Sequence, residues 1–429
     1  MKLNTQPEPR PAGQHHVLKL TSEPLETVRI GMIGLGVRAK RAVNRLIHIE
    51  GAEIKALCDI IPQNIEHAQE VLKNNGKPLV QEYAGIEAWK QMCEQPDIDL
   101  IYICTDWKTH TPMTVYAMEC GKHVAIEVPA ATTVKECWQL VNTAERTRRH
   151  CMMLENCCYD FFEMATLYMA QEGLFGEILH VEGAYIHDLR ERIFTGEYGM
   201  RLAGDWQTEY NIRHTGNPYP THGLGPLCQL LNIHRGDKMN HLVSMSTKSA
   251  GMALYAREKY GENSMQALYD YKLGDMNTSL IHTESGKTIL LQYNVSTPRP
   301  YSRIHLINGT KGYAQKYPVQ QLAFYPSADD VLNAEEIQKI LEKYTHPFWN
   351  EMGSKAVSLC GKRACDYIMD SRLIYCLRKG LPLDMDVYDA AEWSCLVELT
   401  EFSVKNGNIP VQIPDFTRGK WNKPSDVSF

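Results

Sequence analysis

Two clusters of residues in this sequence have types and spacings that could do chemistry. The first is Gly34-Leu35-Gly36-Val37-Arg38-Ala39, which lies between an apolar run and a helix-like one. In such a G-x-G-x-x-A run the first glycine makes a tight turn and the second lets a pyrophosphate reach the backbone. The small last residue lets helix and strand close up. Unpaired N–H groups and the helix dipole then attract the anion. Asp59 ends the next apolar run roughly 20 residues on, where a carboxylate meets ribose hydroxyls. That acid favours NAD over NADP, while Arg38 offers a charge able to neutralise a 2′-phosphate.

The second cluster is Arg213-His-Thr-Gly-Asn-Pro-Tyr219-Pro220-Thr221-His222-Gly-Leu-Gly-Pro226, read as a loop fixed by glycine and proline. Tyr219 and His222 supply two proton-transfer groups. Histidine titrates in the useful range unaided, whereas tyrosine needs a nearby positive charge, from an oxidised nicotinamide or Arg213. Which of them removes which proton is left open by the sequence. His214, His222 and His234 show none of the standard ligand spacings, so no metal is expected. No G-x-S-x-G run supports a serine triad.

Alternating elements position the first cluster. Strands are expected at Val28–Ile33, Glu53–Cys58, Leu100–Cys104, His123–Ile126 and Cys151–Leu154, with helices at Arg38–His48, after Pro62, from about Pro112 and at Val134–Arg148. Such alternation predicts an α/β Rossmann domain over 28–156, preceded by a loose, proline-rich extension, 1–27. Thr105-Asp-Trp107-Lys108-Thr109-His110 and Glu127-Val128-Pro129 follow strands at the carboxyl edge, where ligands bind in such sheets. Beyond Asn156 the pattern changes. A helix at Phe161–Glu172 and strand-like runs at Ile178–His187, Leu242–Ser246, Thr288–Tyr293 and Arg303–Ile307 predict an α+β domain over 157–429. Its sheet should be largely antiparallel and open, and a final helix is expected at about 389–405.

The 429 residues exceed one ordinary core, and 44% hydrophobic with 22% charged residues is the composition of a globular protein. A net charge of −6 argues against nucleic acid, because phosphate binding needs a basic face. No apolar run approaches the ~20 residues of a membrane helix. Thirteen cysteines without a C-x-x-C pair read as reduced thiols, so a cytoplasmic protein is expected, or an exported one if a signal was removed.

Taken in order, Gly31-Met-Ile-Gly34-Leu-Gly36, Cys58-Asp59, Cys104-Thr105 to His110 and Gly121 to Pro129 resemble the glucose–fructose oxidoreductase / inositol dehydrogenase superfamily. Members commonly carry Glu-Lys-Pro, whose lysine helps proton transfer at the substrate alcohol. This chain has Val128 there, which speaks against an ordinary alcohol dehydrogenase. The Arg213–Pro226 stretch, together with Glu-Val-Pro, resembles glycoside hydrolase family 109, the NAD-dependent α-N-acetylgalactosaminidases. The resemblance implies NAD, contacted by Gly34, Gly36, Val37, Arg38, Asp59, Trp107, Lys108, Thr109, His110, Glu127, Val128, Asn156 and Tyr219. It implies a small carbohydrate substrate, held by Tyr185, Arg213, Tyr219, Pro220, Thr221, His222 and Tyr301, with Tyr219 and His222 catalytic. Tyr185 also reads as sheet packing, and Arg213 as a salt-bridge residue. The implied reaction oxidises the sugar at C3, eliminates the α-linked group, adds water and reduces again, with no net cofactor consumption. An NAD-dependent sugar or cyclitol dehydrogenase and a non-catalytic NAD-binding sensor are the alternatives. By fold analogy, the exposed face of the second sheet is a candidate homodimer surface.

Overall fold

The computed structural model describes residues 3–195, 206–327 and 330–423. Strands β1 (Val28–Ile33), β2 (Ala52–Asp59), β3 (Gln81–Ala84), β4 (Leu100–Ile103), β5 (His123–Ile126) and β6 (Cys151–Met153) form one parallel sheet in the order β3-β2-β1-β4-β5-β6. β4 and β5 are buried at every position, as strands covered by helices on both faces must be. The strand order reverses between β1 and β4, which opens a crevice at their carboxyl ends.

The second sheet has eight strands: β7 (Ile178–Ile186), β8 (Met239–Ser246), β9 (Asn277–Thr283), β10 (Thr288–Asn294), β11 (Ser302–Gly309), β12 (Gly312–Gln315), β13 (Gln321–Phe324) and β14 (Val411–Gln412). Their order is β13-β12-β11-β7-β10-β9-β8-β14. Pairing is antiparallel except between β7 and β10, so the sheet is mixed at its centre rather than wholly antiparallel. Among the described residues no helix is long and apolar enough to cross a membrane.

Two stretches expected as loops are helical. The helix after β4 starts at Trp107, not near Pro112. Asp106 caps it by accepting the Thr109 N–H, and Pro112 sits inside it. Trp107 to His110 therefore form its first turn. Thr221-His222-Gly223-Leu-Gly225-Pro226 likewise opens the helix Thr221–Leu230. Glycine is disfavoured in a helix by about 1 kcal/mol, and close packing explains its presence. A Cβ on Gly223 would lie 2.6 Å from the Ala184 nitrogen of β7, and one on Gly183 would lie 2.2 Å from the Gly223 carbonyl oxygen. The helix thus touches β7 backbone to backbone.

Sequence reasoning assigned no helix between β11 and the final helix. The structure places Ala364–Lys379 there, packed across the first sheet's Val37–Leu46 helix. The final helix, Val387–Lys405, opens with a capping box between Asp386 and Asp389 and packs on the helix Val134–Thr147. The N-terminal extension is seated rather than loose. Val17 is buried with its N–H on the Tyr388 hydroxyl, and Arg10 pairs with the buried Glu145.

Gly223→Ala should lower the free energy of unfolding by about 1–3 kcal/mol by forcing the helix off β7. Denaturant midpoints measure this, and an unchanged midpoint would show that the contact can give.

Candidate active site

The glycine loop leaves β1 at the crevice. Gly34 has φ of +80°, and a Cβ there would meet the Cys104 carbonyl oxygen at 2.8 Å, so only glycine lets β1 and β4 turn side by side. Gly36 caps the Val37–Leu46 helix with no side-chain hydrogen bond and no acid in the first turn, and open space surrounds its Cα. The helix's first N–H groups are free for an anion, so this cradle fits a dinucleotide pyrophosphate. The buried Asp59 carboxylate accepts from the N–H of Leu35 (2.6 Å), the N–H of Ile61 (2.8 Å) and the Asn64 amide (3.3 Å). Three donors leave about one of its four acceptor positions for a ribose hydroxyl. Arg38 does not stand ready for a 2′-phosphate. Its Nε–H donates to Glu127 at 2.6 Å, and its Nη atoms face Asp366 at 3.3 and 3.4 Å.

A cavity of about 650 Å³ lies between this edge and the second sheet. Arg38, Trp107, Glu127, Val128 and Asn156 line one side, and Tyr185 of β7 with Tyr301 and Arg303 line the other. Tyr219 and His222 join the two walls. The Tyr219 ring stacks on Trp107 at 5.8 Å and lies 4.8 Å from the Tyr185 ring. The His222 ring is 4.9 Å from Tyr219.

His222 Nδ1 lies 2.6 Å from Oε1 of Glu155, a fully buried carboxylate just past β6. Burial pushes Glu155 up, yet the His222 ring prevails and holds it below the usual carboxylate range. Burial also holds His222 below the usual histidine value, against the pull of Glu155. Both directions describe one state: a charged Glu155 accepting Nδ1–H from a neutral imidazole, with Nε2 left as the acceptor on the cavity side. Burial, then Tyr185 and Glu127, raise Tyr219 well above the ordinary phenol, so its hydroxyl keeps its proton. Tyr301 is exposed at the cavity mouth, and its oxygen accepts the Arg303 Nε–H at 2.6 Å. The Arg303 guanidinium lies 4.8 Å over the Tyr185 ring, and its Nη1 is buried with no hydrogen-bond partner among the described residues.

Several expected site residues turn elsewhere. Arg213 is exposed and pairs with Glu209 (3.2 Å), because the helix Trp206–Arg213 sets the two four residues apart on one face. The cavity's cation on the sheet side is instead Arg303. Lys108 also reaches outward to Glu209 (3.0 Å). Thr109 caps its own helix through Thr105 and Asp106, and His110 is buried between the carbonyls of Pro129 (2.8 Å) and Thr105 (3.1 Å). Thr109 braces the cofactor edge from behind, whereas His110 lines the cavity as well. Pro220 and Thr221 start the His222 helix and do not line the cavity, and Val37 opens the glycine-loop helix. Sequence reasoning missed Glu155, Arg303 and Asp366. A carboxylate directly after an apolar strand end, and two acids four residues apart in an apolar helix, were the available signals for the first and last.

The crevice at the strand reversal, closed over by a second sheet, is the architecture of a Rossmann-type oxidoreductase fold with an appended substrate domain. Residues 28–155 match the family described as "Oxidoreductase family, NAD-binding Rossmann fold", and residues 159–423 match "Glycosyl hydrolase 109, C-terminal domain". The chain belongs to glycosyl hydrolase family 109, and its cofactor is NAD. It is 60% identical to an alpha-N-acetylgalactosaminidase of Bacteroides fragilis, over 96% of this chain and 97% of that one. It is 53% identical to a glycosyl hydrolase family 109 protein of Porphyromonas gingivalis, over 96% and 90%. In fold it resembles a levoglucosan dehydrogenase solved with NADH and L-sorbose, with a TM-score of 0.67, 16% identity, and 91% and 100% of the two chains covered. An oxidoreductase from Agrobacterium radiobacter solved with NAD+ gives 0.64 at 16% identity, over 90% and 98%.

Asp366→Ala should destabilise the chain by about 3–5 kcal/mol, because it leaves buried arginines short of their counter-ion. Urea midpoints test this, and a loss below about 1 kcal/mol would show that Glu127 and Asp370 suffice.

Proposed function

We propose that the protein hydrolyses α-linked N-acetylgalactosamine by oxidation at C3, elimination, water addition and reduction, with no net consumption of NAD. The Glu155–His222 pair carries this reading, because it presents a neutral imidazole to a cavity whose carboxylates are otherwise engaged. Among the described lining residues the acids are Glu127 and Asp160. Glu127 is held by Arg38, and Asp160 by Lys316 at 2.8 Å. Neither forms the free carboxylate pair of ordinary glycosidases. The relative from Bacteroides fragilis carries the matching name.

NAD, when bound, supplies the hydride acceptor at C3 and returns the hydride at the end. As the hydride leaves C3, the hydroxyl proton passes through the neutral His222 Nε2 to solvent. Once C3 is a ketone, the proton on C2 is acidic, and His222 Nε2 takes it while Glu155 steadies the imidazolium. Tyr219 donates its O–H to the oxygen on C3. Arg303 supplies positive charge opposite the enolate, and the aromatic floor of Tyr185 holds the sugar's apolar face. The C1–O bond then breaks and the departing oxygen takes the proton held on His222. Water gives a proton to His222 as its oxygen bonds C1, His222 passes that proton to C2, and solvent resupplies the C3 hydroxyl proton at the final reduction. Val128 is buried where members of the wider superfamily carry a lysine, so the proton of the C3 hydroxyl leaves through His222 rather than through an amine.

p-Nitrophenyl α-N-acetylgalactosaminide should release its aryl group with no accumulation of NADH. His222→Ala should cost about 10²–10⁴-fold in kcat. Steady NADH formation from a free sugar without aryl release would make the protein a dehydrogenase instead. Because His222 works only unprotonated and burial holds it below the usual histidine value, the acid limb of kcat/KM should have its midpoint on the acid side of an ordinary histidine, and His222→Ala should abolish that limb. An acid limb that survives in His222→Ala would exclude His222 as the base.

A further inference from the structure

Glu155, Cys157 and His222 bring a carboxylate, a free thiol and an imidazole together, all buried, with their donor atoms within 4.8 Å of one another. Cys157 Sγ lies 3.5 Å from His222 Nδ1. We propose that these three residues form a binding site for a thiophilic divalent cation, zinc foremost, which inhibits the enzyme by capturing His222 through Nδ1.

The geometry is close to that of a metal site. Zn–S of about 2.3 Å and Zn–N of about 2.0–2.1 Å in a tetrahedron separate sulfur from nitrogen by about 3.5 Å, which is the spacing found. Glu155 must draw back from Nδ1 by about 0.7 Å to accept a shared cation at tetrahedral angles. Its Oε2 is buried with no hydrogen-bond partner among the described residues, so that oxygen gives up nothing when the carboxylate turns. An unpartnered buried carboxylate oxygen beside a thiol and an imidazole is a donor set suited to zinc rather than magnesium or calcium. Cys157 and His222 both line the cavity, which provides the entry path and a fourth position for water.

Capture would silence the base. In the resting pair the imidazole proton sits on Nδ1. A cation bound there moves that proton to Nε2, the Cys157 thiol loses its proton to solvent, and bonds form from the cation to sulfur, nitrogen and oxygen. One proton is released per cation. Nε2 then carries hydrogen in place of a lone pair and cannot take the C2 proton. The ligand set escapes the usual sequence spacings because Glu155 and Cys157 come from the short turn after β6 and His222 from a helix more than sixty residues on.

The binding half of this inference stands apart from the glycosidase reading, and the inhibition half rests on it. Cobalt(II) added to the NAD-loaded full chain should give one equivalent of tetrahedral cobalt with a thiolate charge-transfer band, displaced by zinc. Cys157→Ala and Cys157→Ser, checked for folding by circular dichroism, should lose the band, whereas Cys365→Ala should keep it. In the aryl-release assay zinc should inhibit reversibly with EDTA. The zinc concentration that halves the rate should rise at least tenfold in Cys157→Ala, measured against that variant's own zinc-free rate. An unaltered band in both Cys157 variants, or no thiolate band in the unmodified chain, overturns the site. A band at Cys157 without any effect of zinc on turnover overturns the inhibition. Absence of aryl release in every preparation counts against the glycosidase reading, and the cobalt spectra still decide the site.

Discussion

The buried Asp366, Asp370 and Arg45 meet Arg38 at the inner edge of the cavity, and the remainder of the structure is arranged around that encounter. Asp366 Oδ2 faces Arg38 at 3.3 Å and Arg45 at 3.5 Å, Asp370 accepts the Arg45 Nε–H at 2.8 Å, and the Tyr102 hydroxyl donates to Asp370 at 3.1 Å. Burial pushes the Asp366 carboxyl up, and the two guanidinium groups more than reverse it. Such a set tolerates only one arrangement, because each unpaired buried charge costs several kcal/mol. It therefore locks a helix from late in the chain onto the helix that carries the glycine loop. The lock reaches the cavity, since Asp366 Oδ1 also accepts the Asn156 amide at 2.6 Å and Arg38 passes on to Glu127.

Close backbone packing performs the corresponding task on the other wall. Because Gly183 and Gly223 have no side chains, the Thr221–Leu230 helix sits directly on β7, and His222 and Tyr185 come to share one cavity wall with ring centroids 5.6 Å apart. A third small residue, Gly225, keeps the same helix within reach of Glu155, whose Cγ would lie 2.9 Å from a Cβ there. The acid–imidazole pair thus depends on glycines in a helix, where propensity alone would exclude them.

The same restraint shapes the chemistry. Glu127 and Asp160 face the cavity but are neutralised by Arg38 and Lys316, while Glu155 works through a histidine. Charge on this site is spent on orientation, which leaves a neutral imidazole, a protonated phenol and the Arg303 guanidinium over the Tyr185 ring facing the cavity.

Local pattern alone determined the first sheet's main strands, the glycine loop, the position of Asp59 and the switch to a second sheet, because strand alternation and tight turns are encoded within a few residues. Tyr219 and His222 were also legible as a pair, and the structure brings them to one cavity. Their secondary structure was not, since Thr221-His-Gly-Leu-Gly-Pro reads as loop until β7 lies against it. The partners of these residues were decided by tertiary structure: Glu155 for His222, Asp366 for Arg38, and Arg303 in place of Arg213 as the cavity's sheet-side cation. Each depends on segments 67, 328 or more than a hundred residues apart being brought within hydrogen-bond or stacking distance. Burial then sets their protonation states, and desolvation of this kind is a property of the packed interior that no local spacing carries.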